Sequence, residues 1–550
     1  MASRDFTEQV KVGLAAGAML AAVAGFALAR LRARAEKNEA AREFIDREPL
    51  LKWGRLRLNA RQTFSAGLLI FCIAGTFNYF RYDTRTLVRD YDQYDLLHYY
   101  LNSKYFDELR YYRLLPSLIV ADDEAGRRWE PPPIYLAQDD KDYFMRPIQW
   151  ALDHREEIKG RFSKERWAQF SHDAVYIQRN LGRMGGKLWG QLLVDHGFNG
   201  TPTWVLIARP IASIVPVEWV KVCACLDLLW IMGMLAAVVW AFGAEAFFLS
   251  WVFVIVSYSF RWPSITWGFL RYDWFACMAI GVCMIRKEKP VAAGAFFAYA
   301  TLMRYFPVLW LFGIVAKGVH ALVTRRDIPL TRFWLRIPRR YWLMAAGFAV
   351  TIALLGGASV ARDGLESHKQ NLIKMAAHVE PHNLSSMRQG LAVTLTYRGE
   401  TDMKRLSDEK RLFVQNNERW LRLGGLVMMI ALGLFMTRAK DWEVVGLGFI
   451  PYFWVMTSSY YYYSMRITAV IIHAADLGKP RNVVGLLFLF GTELFCNASE
   501  HLKPENRYFL ISWMGILLTA YSILMMAFLA HEWWTARKAE KAGGAPPVDG

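Results

Sequence analysis

The densest group of side chains suited to acid–base chemistry lies in the stretch from Tyr91 to Leu109. If this stretch is helical, Asp95 and His98 share a face, and Asp92 lies one turn earlier on the same side. A carboxylate beside an imidazole is suited to general-base work, because burial and neighbouring charges tune its proton affinity. The alternative is an interfacial helix whose tyrosines anchor in lipid headgroups, and composition alone favours that alternative.

A second group consists of ionisable residues in otherwise apolar sequence, and its members are Asp227, Arg271, Asp273, Arg304 and Arg466. Exposure of such a side chain to lipid costs roughly 2.5–3.5 kcal/mol, so these residues are expected to face a cavity or a site. Arg271 and Asp273 are two residues apart and would not pair on one helix. Structural ion pairs are the alternative for at least half of the group.

A third group combines imidazole, amide and basic side chains: His368, Lys369, Asn371, Lys374, His378, His382, Asn383 and Arg388. His378 and His382 have the spacing of metal ligands on a helix, but the glutamate of a zinc-protease helix is missing. Binding of an anionic lipid headgroup is therefore favoured over a metal site. The tyrosine quartet from Tyr460 to Tyr463 is best explained as an aromatic belt at a membrane surface.

The elements that must position these groups are apolar runs about as long as a bilayer requires, roughly 17–25 residues. Of the 550 residues, 54% are hydrophobic and 15% aromatic, which excludes intrinsic disorder. The candidate spans are Val12–Ala29, Thr63–Phe80, Trp219–Phe242, Ala246–Phe260, Ile265–Ile285, Trp342–Ser359, Gly424–Met436, Val444–Thr457, Tyr463–Ala475, Val483–Cys496 and Phe509–Leu529.

One further apolar stretch, Val291–Val323, is interrupted at Arg304 and Pro307. Each half is too short to cross a hydrocarbon core of about 30 Å comfortably, so two short or re-entrant helices are predicted. Irregular backbone at that depth is tolerated where it lines a protein cavity. The sequence thus predicts an all-α polytopic membrane protein with about 11–13 transmembrane or re-entrant helices and a long external first loop.

The formal net charge of +17 could indicate nucleic-acid binding, but the basic residues lie in short connections between apolar runs. No zinc-finger, RNA-binding or basic-zipper pattern accompanies them. Alternating the sides places 81–203, 261–264, 362–419 and 497–507 outside. The connections predicted inside are Arg30–Arg61, Arg286–Lys289, Arg325–Arg340, Arg438–Lys440, Lys479–Arg481 and the tail after Arg537.

The predicted organisation has three parts. Residues 1–62 hold an extra membrane helix and a basic cytoplasmic connection; a signal peptide is the alternative, but the positive charge follows the apolar run rather than preceding it. Residues 63–530 form the main membrane domain, with external loops at 81–203 and 362–419. Residues 531–550 form a cytoplasmic tail whose Gly- and Pro-rich end is expected to be disordered.

These residues resemble a known family. The chain is similar to the GT-C superfamily of integral membrane glycosyltransferases, and most similar to bacterial proteins of the polyprenol-phosphate-mannose-dependent type, glycosyltransferase family 87. The resemblance extends from about Tyr79 to Tyr463. It lies in five segments: Asp95–Leu109, Asp195–Trp204, Gly268–Trp274, Leu302–Pro307 and His368–Leu391.

The resemblance implies transfer of a mannose-like sugar from a polyprenyl-phosphate donor to an acceptor glycan, lipid or protein. The site would face the periplasmic side of a bacterial inner membrane. An acidic residue of the first external loop would act as base, with Asp95 preferred over Asp92 and His98 as its partner. The donor phosphate would be held by one or more of Arg271, Arg304, Lys374 and Arg388. Candidates for acceptor or sugar binding are Lys104, Asp195, Asn199, Asp273, His378 and Tyr460. No cofactor is firmly implied, a divalent cation stays open, and the N-terminal helix is not explained.

Two other functions compete with this interpretation. A transporter or flippase for a lipid-linked saccharide would also need intramembrane charges and broken helices, and paired halves with similar interruptions would favour it. No such repeat is visible in the sequence. A non-catalytic scaffold would bind a partner through its external segment, and its charged residues could be replaced without loss of activity. A transferase ranks first, because the ionisable residues gather near the outer surface.

Overall fold

The computed structural model describes residues 4–35, 49–53, 56–83, 92–139, 141–181, 185–260, 268–380, 384–385, 387–400, 406–502 and 507–541. Its described part is almost entirely helical. It contains 8 helices long and apolar enough to cross a membrane: Phe6–Ala35, Ala60–Tyr79, Val217–Phe242, Phe306–Thr324, Arg339–Val379, Glu418–Met436, Pro480–Leu502 and Tyr508–Lys541. The prediction of an all-α polytopic membrane protein is confirmed. Tyr91, His382 and Asn383 lie outside the described residues.

The first helix, Arg4–Ala35, packs along Pro480–Leu502 and Ala60–Tyr79. Its buried residues include Ala15, Ala18 and Ala22, whose spacing places them on one face. Small residues allow helix backbones to approach closely within a membrane. The predicted extra helix is therefore an integrated member of the bundle. A short antiparallel strand pair, Leu51–Trp53 with Leu56–Leu58, precedes the second helix.

The predicted first external loop folds into a helical layer of its own. Its helices are Gln93–Lys104, Phe106–Leu109, Leu114–Glu124, Ile148–Asp153, Arg155–Lys159, Lys164–Arg179, Gly185–Leu193 and Pro202–Ile214. The strand Ile134–Gln138 pairs antiparallel with Tyr143–Pro147. Buried rings of Tyr105, Phe162 and Phe170 form its core. Ion pairs such as Arg166 with Glu108, at 2.8 Å, join its helices.

The central bundle contains the helices Val220–Phe242, Ala244–Val256, Asp273–Arg286, Pro290–Arg304, Phe312–Thr324, Arg339–Thr351 and Gly357–Val379, with short turns at Val217–Trp219, Tyr258–Phe260, Phe306–Leu311, Leu330–Leu335 and Ile352–Gly356. The predicted interruption at Arg304 is present. One helix ends at this residue, and Tyr305 turns the chain with a φ of 56°. Within the predicted span Ile265–Ile285, the helix begins only at Asp273. The residues 261–267 lie outside the described part of the chain.

The C-terminal part contains the helices Leu391–Thr394, Asp408–Asn416, Glu418–Met436, Asp441–Gly446, Phe449–Val455, Ile467–Ala474, Pro480–Leu502 and Arg507–Lys541, with a turn at Tyr460–Arg466. The predicted span Val444–Thr457 is broken near Gly448, where the chain lies directly against the Trp310 indole. The strand Arg388–Gln389 pairs with Ser458–Ser459. The last helix continues to Lys541, so the first part of the predicted tail is helical. The Gly- and Pro-rich end, 542–550, lies outside the described residues.

Polar contacts divide the bundle into two ends. At one end, the first loop meets the segment after Gly357: Arg110 donates to Ser367 at 2.9 Å. At the other end, Lys317 pairs with Asp441 at 2.6 Å. The helix Val220–Phe242 connects these ends, since it begins after Glu218, beside His172, and its Phe242 ring contacts Trp442. Its 23 residues extend about 34 Å, close to a bilayer core of about 30 Å. We call these the Asp95 end and the Asp441 end; that the Asp95 end faces outward stays a prediction.

Candidate functional site

The helix Gln93–Lys104 presents two carboxylates at its N-terminus. Asp92 caps this helix, and its Oδ1 accepts a hydrogen bond from the Asp95 N–H at 3.1 Å. Acidic side chains in a first turn are stabilised by the free N–H groups and the helix dipole. Asp95 is buried, and its Oδ2 accepts from the Phe269 N–H at 2.9 Å. The predicted helix is confirmed, and both carboxylates face the connection that precedes Asp273.

Arg271 lies between the two carboxylates. Its Nη1 is 3.1 Å from Asp92 Oδ2, and its Nη2 is 2.7 Å from Asp95 Oδ1. Behind it, Asp227 Oδ1 accepts from the N–H groups of Arg271 and Tyr272, at 2.8 and 3.0 Å. Asp227 therefore positions the connection that carries Arg271. The guanidinium predicted to hold a phosphate is occupied by the carboxylate pair.

The two titratable groups that flank Asp95 have altered proton affinities. Burial raises the pKa of Asp92 to about 6; the Arg271 charge opposes this shift and the Asp95 charge adds to it. Burial lowers the pKa of His98, although Asp195 and Asp95 oppose that shift. His98 is therefore a neutral imidazole near pH 7. Within the described part of the chain, its Nε2 has no hydrogen-bond partner.

Asp195 connects His98 to a second imidazole pair. Its Oδ2 is 3.9 Å from His98 Nδ1, and its Oδ1 is 3.7 Å from His196 Nδ1. Burial acts to raise the pKa of Asp195, but the two imidazoles outweigh it and hold that pKa below its usual value. The His196 ring stands edge-on to His378, with centroids 4.7 Å apart. Of the predicted sugar-binding residues, Asp195 thus lies beside His98, the predicted partner of the base, and His378 is linked to it through His196.

Lys374 and Arg388 also reach this site, and both are engaged by the protein. Lys374 is buried, and its Nζ donates to the Tyr111 carbonyl at 3.0 Å. Arg388 Nη2 donates to the His378 carbonyl at 3.0 Å. In its strand pair, Arg388 lies opposite Ser459, the residue that precedes the tyrosine quartet. These two basic side chains form one wall of the site, and burial lowers the pKa of Lys374 to about 7.

Arg304 differs from the other predicted phosphate ligands because its head group is poorly satisfied. Its guanidinium lies 5.7 Å from the centre of the Tyr99 ring. Its Nη1 makes only a long contact of 3.4 Å with the neighbouring Met303 carbonyl. Its buried Nε has no partner among the described residues. Because the helix ends at Arg304, its guanidinium lies at the site with N–H donors that are not used by the described residues.

Asn199 and Asp273 belong to the surroundings of Arg304: Asn199 contacts Tyr99, whose ring lies under Arg304, and Asp273 is within electrostatic range of Arg304. The Tyr99 hydroxyl donates to Asn199 Oδ1. Asp273 begins its helix, accepting from the Trp274 N–H at 2.7 Å and from the Tyr299 hydroxyl at 3.0 Å. Both predicted residues lie near the site, and both already have hydrogen-bond partners.

Three predicted residues lie apart from this cluster. Lys104 pairs with Asp173 at 2.7 Å inside the first-loop domain. Tyr460 packs against Tyr258, with ring centroids 5.4 Å apart. Arg466 forms a buried ion pair with Glu493 at 2.6 Å, so the structural alternative applies to it.

The sequence interpretation missed two tyrosines and one histidine. Tyr461 lies under the Arg271 guanidinium, 5.6 Å from it, and its ring contacts that of Tyr462. Both rings are within electrostatic range of Arg304. The quartet was visible in the sequence, but only the turn at Tyr460–Arg466 determines which rings face inward. His196 stands beside the quoted Asp195 and carried no signal of its own.

The described residues contain no group of three or more His, Cys, Asp or Glu side chains able to hold a metal ion. The spacing of His378 and His382 cannot be followed further, because His382 lies outside the described residues. Asp92 and Asp95 form a pair of carboxylates at the site, and both are bound by Arg271. The site as described is a carboxylate–guanidinium–imidazole cluster.

Three comparisons with known proteins found no match to this chain. No protein-family model matches the chain, no curated protein matches its sequence, and no solved structure matches it. The resemblance to GT-C glycosyltransferases therefore depends on the quoted motifs.

Proposed function

We propose that this protein is a GT-C-like glycosyltransferase, which moves a mannose-like sugar from a polyprenyl-phosphate donor to an acceptor glycan, lipid or protein. One observation carries the proposal: Asp95, Arg271 and Arg304, from three distant segments of the chain, are brought to one site. In this proposal the site lies at one end of the membrane bundle, so that the lipid-linked donor would enter from the bilayer and the acceptor from the adjoining side. The proposed setting is the external face of a bacterial inner membrane.

The proposed reaction needs a base and a place for the leaving group. The acceptor hydroxyl attacks the anomeric carbon, the bond from that carbon to the phosphate oxygen breaks, and polyprenyl phosphate leaves with the bonding electrons. The hydroxyl proton passes to a carboxylate, a step typically worth roughly 10²–10⁴-fold in rate. Asp95 is the proposed base, because it lies one helical turn before His98. Asp92 is the alternative, because it also binds Arg271 and its Oδ1 is only 3.1 Å from the Asp95 backbone nitrogen.

Arg304 is the proposed ligand of the donor phosphate. A guanidinium can donate two parallel hydrogen bonds to phosphate oxygens, and a preorganised cation stabilises the charge that develops on the leaving group. Arg271, Lys374 and Arg388 already have protein partners. Arg304, with an unpartnered buried Nε, has the capacity that a phosphate would use.

Release of polyprenyl phosphate tests the proposal. Purified protein would be incubated with a panel of polyprenyl-phosphate sugars and candidate acceptors, and polyprenyl phosphate measured by mass spectrometry. Asp95→Asn keeps the shape and removes the proton acceptor, so we expect turnover to fall about 10²–10⁴-fold with donor binding nearly unchanged. Asp139→Asn, an exposed acid of the same first-loop domain, is the control and should retain activity.

The outcomes separate the candidates. If Asp95→Asn retains most activity while Asp92→Asn loses it, the base is Asp92. If neither substitution reduces the release of polyprenyl phosphate from a donor that the protein accepts, the cluster is not the active site. If no donor in the panel is consumed and lipid-linked saccharide is instead moved between leaflets of vesicles, the flippase alternative replaces the transferase.

A further inference from the structure

An apolar groove runs between the helices Phe312–Thr324 and Arg339–Thr351, away from the Asp95 end. It has a volume of about 350 Å³, and its lining includes Leu311, Val315, Gly318, Leu322, Ala345 and Phe348. Both helices belong to candidate membrane spans. Val315 and Val319 are 61% and 54% exposed, so the groove opens toward the hydrocarbon of the bilayer. A groove of this composition and position fits an acyl chain.

A second cavity, of about 460 Å³, forms the mouth of this groove. Its lining includes Arg325, Trp334, Pro338 and Arg339, and it shares Ile337 and Trp342 with the groove. The Trp342 indole N–H donates to the Trp334 carbonyl at 3.0 Å, and both indoles are partly exposed. Tryptophan is enriched where hydrocarbon meets headgroups. The mouth therefore lies at headgroup depth.

The mouth carries positive charge that the protein does not neutralise. Arg325 donates to the Arg336 carbonyl at 3.1 Å, and neither it nor Arg339 forms an ion pair with an acidic side chain in the described part of the chain. Arg340 and Lys317, by contrast, both pair with Asp441, at 2.7 and 2.6 Å. Two guanidinium groups without a carboxylate partner among the described residues thus lie at the mouth of an apolar groove. Basic pockets between membrane helices are suited to anionic headgroups.

We propose that this groove and its mouth bind an anionic diacyl phospholipid of the bilayer. Its phosphate would lie between Arg325 and Arg339, and one acyl chain would follow the groove past Gly318. Tyr341, which also lines the groove, donates to Asp441 at 2.9 Å, so the bound lipid lies at the Asp441 end. This lipid is separate from the proposed sugar donor, and the inference holds whether or not the protein is a transferase.

Native mass spectrometry of the full-length protein tests the charge of the headgroup. Detergent-purified protein would be titrated with phosphatidylglycerol and with phosphatidylcholine of identical chains. Each arginine near an anionic headgroup contributes about fivefold, so Arg325→Gln with Arg339→Gln should weaken phosphatidylglycerol binding roughly 25-fold. Phosphatidylcholine binding should weaken much less, because its choline cation offsets the charge of its phosphate. The control is Arg326→Gln with Arg332→Gln, which removes the same charge from exposed residues outside the cavity lining and should leave both lipids unchanged.

A groove-filling variant tests the acyl-chain position. A side chain at Gly318 would enter the groove beside Tyr341, so Gly318→Leu should weaken both lipids equally, while thermal unfolding verifies that the variant is folded. Equal losses of both lipids in the Arg325/Arg339 variant would contradict an anionic headgroup. Equal weakening by the Arg326/Arg332 control would show a diffuse charge effect and overturn the site. Tighter binding of polyprenyl phosphate than of phosphatidylglycerol at the mouth would overturn the choice of lipid.

Discussion

At the scale of single residues, the basic side chains of the site differ in the protein partners that they already have. Arg271 holds two carboxylates, whereas Lys374 and Arg388 donate to backbone carbonyls. Arg304 keeps free donors because its helix ends there and its closest polar contact is the carbonyl of the preceding residue. Burial of an unsatisfied guanidinium is costly, and an anionic ligand would remove that cost.

Substitution of Arg304 should therefore affect the donor and not the fold. Arg304→Lys keeps the charge but loses the planar fork, so we expect donor affinity to fall about tenfold, and Arg304→Ala should lower it further. Affinity would be measured by titration of a polyprenyl-phosphate sugar, with the melting temperature recorded in parallel. Arg209→Lys is the matched control, since Arg209 pairs with Asp363 at 3.0 Å near the same end. Unchanged donor binding in Arg304→Ala would remove Arg304 from the site.

The carboxylate pair should produce an acid limb in the pH–rate profile. Burial raises the pKa of Asp92 to about 6, with Arg271 opposing and Asp95 adding to the shift. Protonation of Asp92 removes a negative charge beside Asp95, the proposed base, and so makes Asp95 a weaker base; kcat/KM should therefore fall as the pH drops through about 6. Asp92→Asn should move this limb to lower pH. His98→Gln should leave its position unchanged, because the limb follows Asp92 and burial lowers the pKa of His98. An unmoved limb in Asp92→Asn would contradict this assignment.

At the scale of elements, the site depends on the close packing of the Gly268–Tyr272 connection on the helix Gln93–Lys104. A methyl group at Gly268 would overlap the Asp95 carboxylate. Gly268→Ala should thus displace Asp95 from Arg271 and the Phe269 N–H, lower turnover at least tenfold and destabilise the fold by about 1–3 kcal/mol. Turnover and thermal unfolding measure the two effects. Gly233→Ala, where a methyl group meets open space, should change neither. A fully active Gly268→Ala protein would show that the Asp95 position is not critical.

The sequence predicted those elements whose signals are local. Arg304 and Pro307 indicated the interruption, because a charge and a proline break an apolar run. The spacing of Asp95 and His98 indicated the helix that carries them. Nothing local, however, indicated that Arg271 would reach Asp95, since they are distant in the chain and only tertiary packing joins them. The choice of Tyr461 and Tyr462 over Tyr460 also depends on a turn that four identical side chains do not reveal.

At the scale of the whole molecule, the Asp95 end and the Asp441 end lie at opposite ends of the bundle. This arrangement predicts which introduced cysteines a membrane-impermeant reagent can label. Asp139→Cys and Glu366→Cys should react with an impermeant thiol reagent from outside intact cells, and Thr331→Cys should not. Glu366 serves better than its neighbour Ser367, which is buried. The parent protein is the control, because all of its cysteines except Cys225 are buried. Labelling of all three variants from outside would contradict the predicted topology.

The most direct test of the central claim is an electron cryomicroscopy map of the full-length protein with a polyprenyl-phosphate sugar bound. We predict density for the donor phosphate within hydrogen-bonding distance of the Arg304 guanidinium, with the sugar beside Asp95 and His98. The Arg325–Arg339 mouth would then hold a separate phospholipid. A donor phosphate bound elsewhere, with the Asp95, Arg271 and Arg304 cluster empty at saturating donor, would contradict the proposed active site.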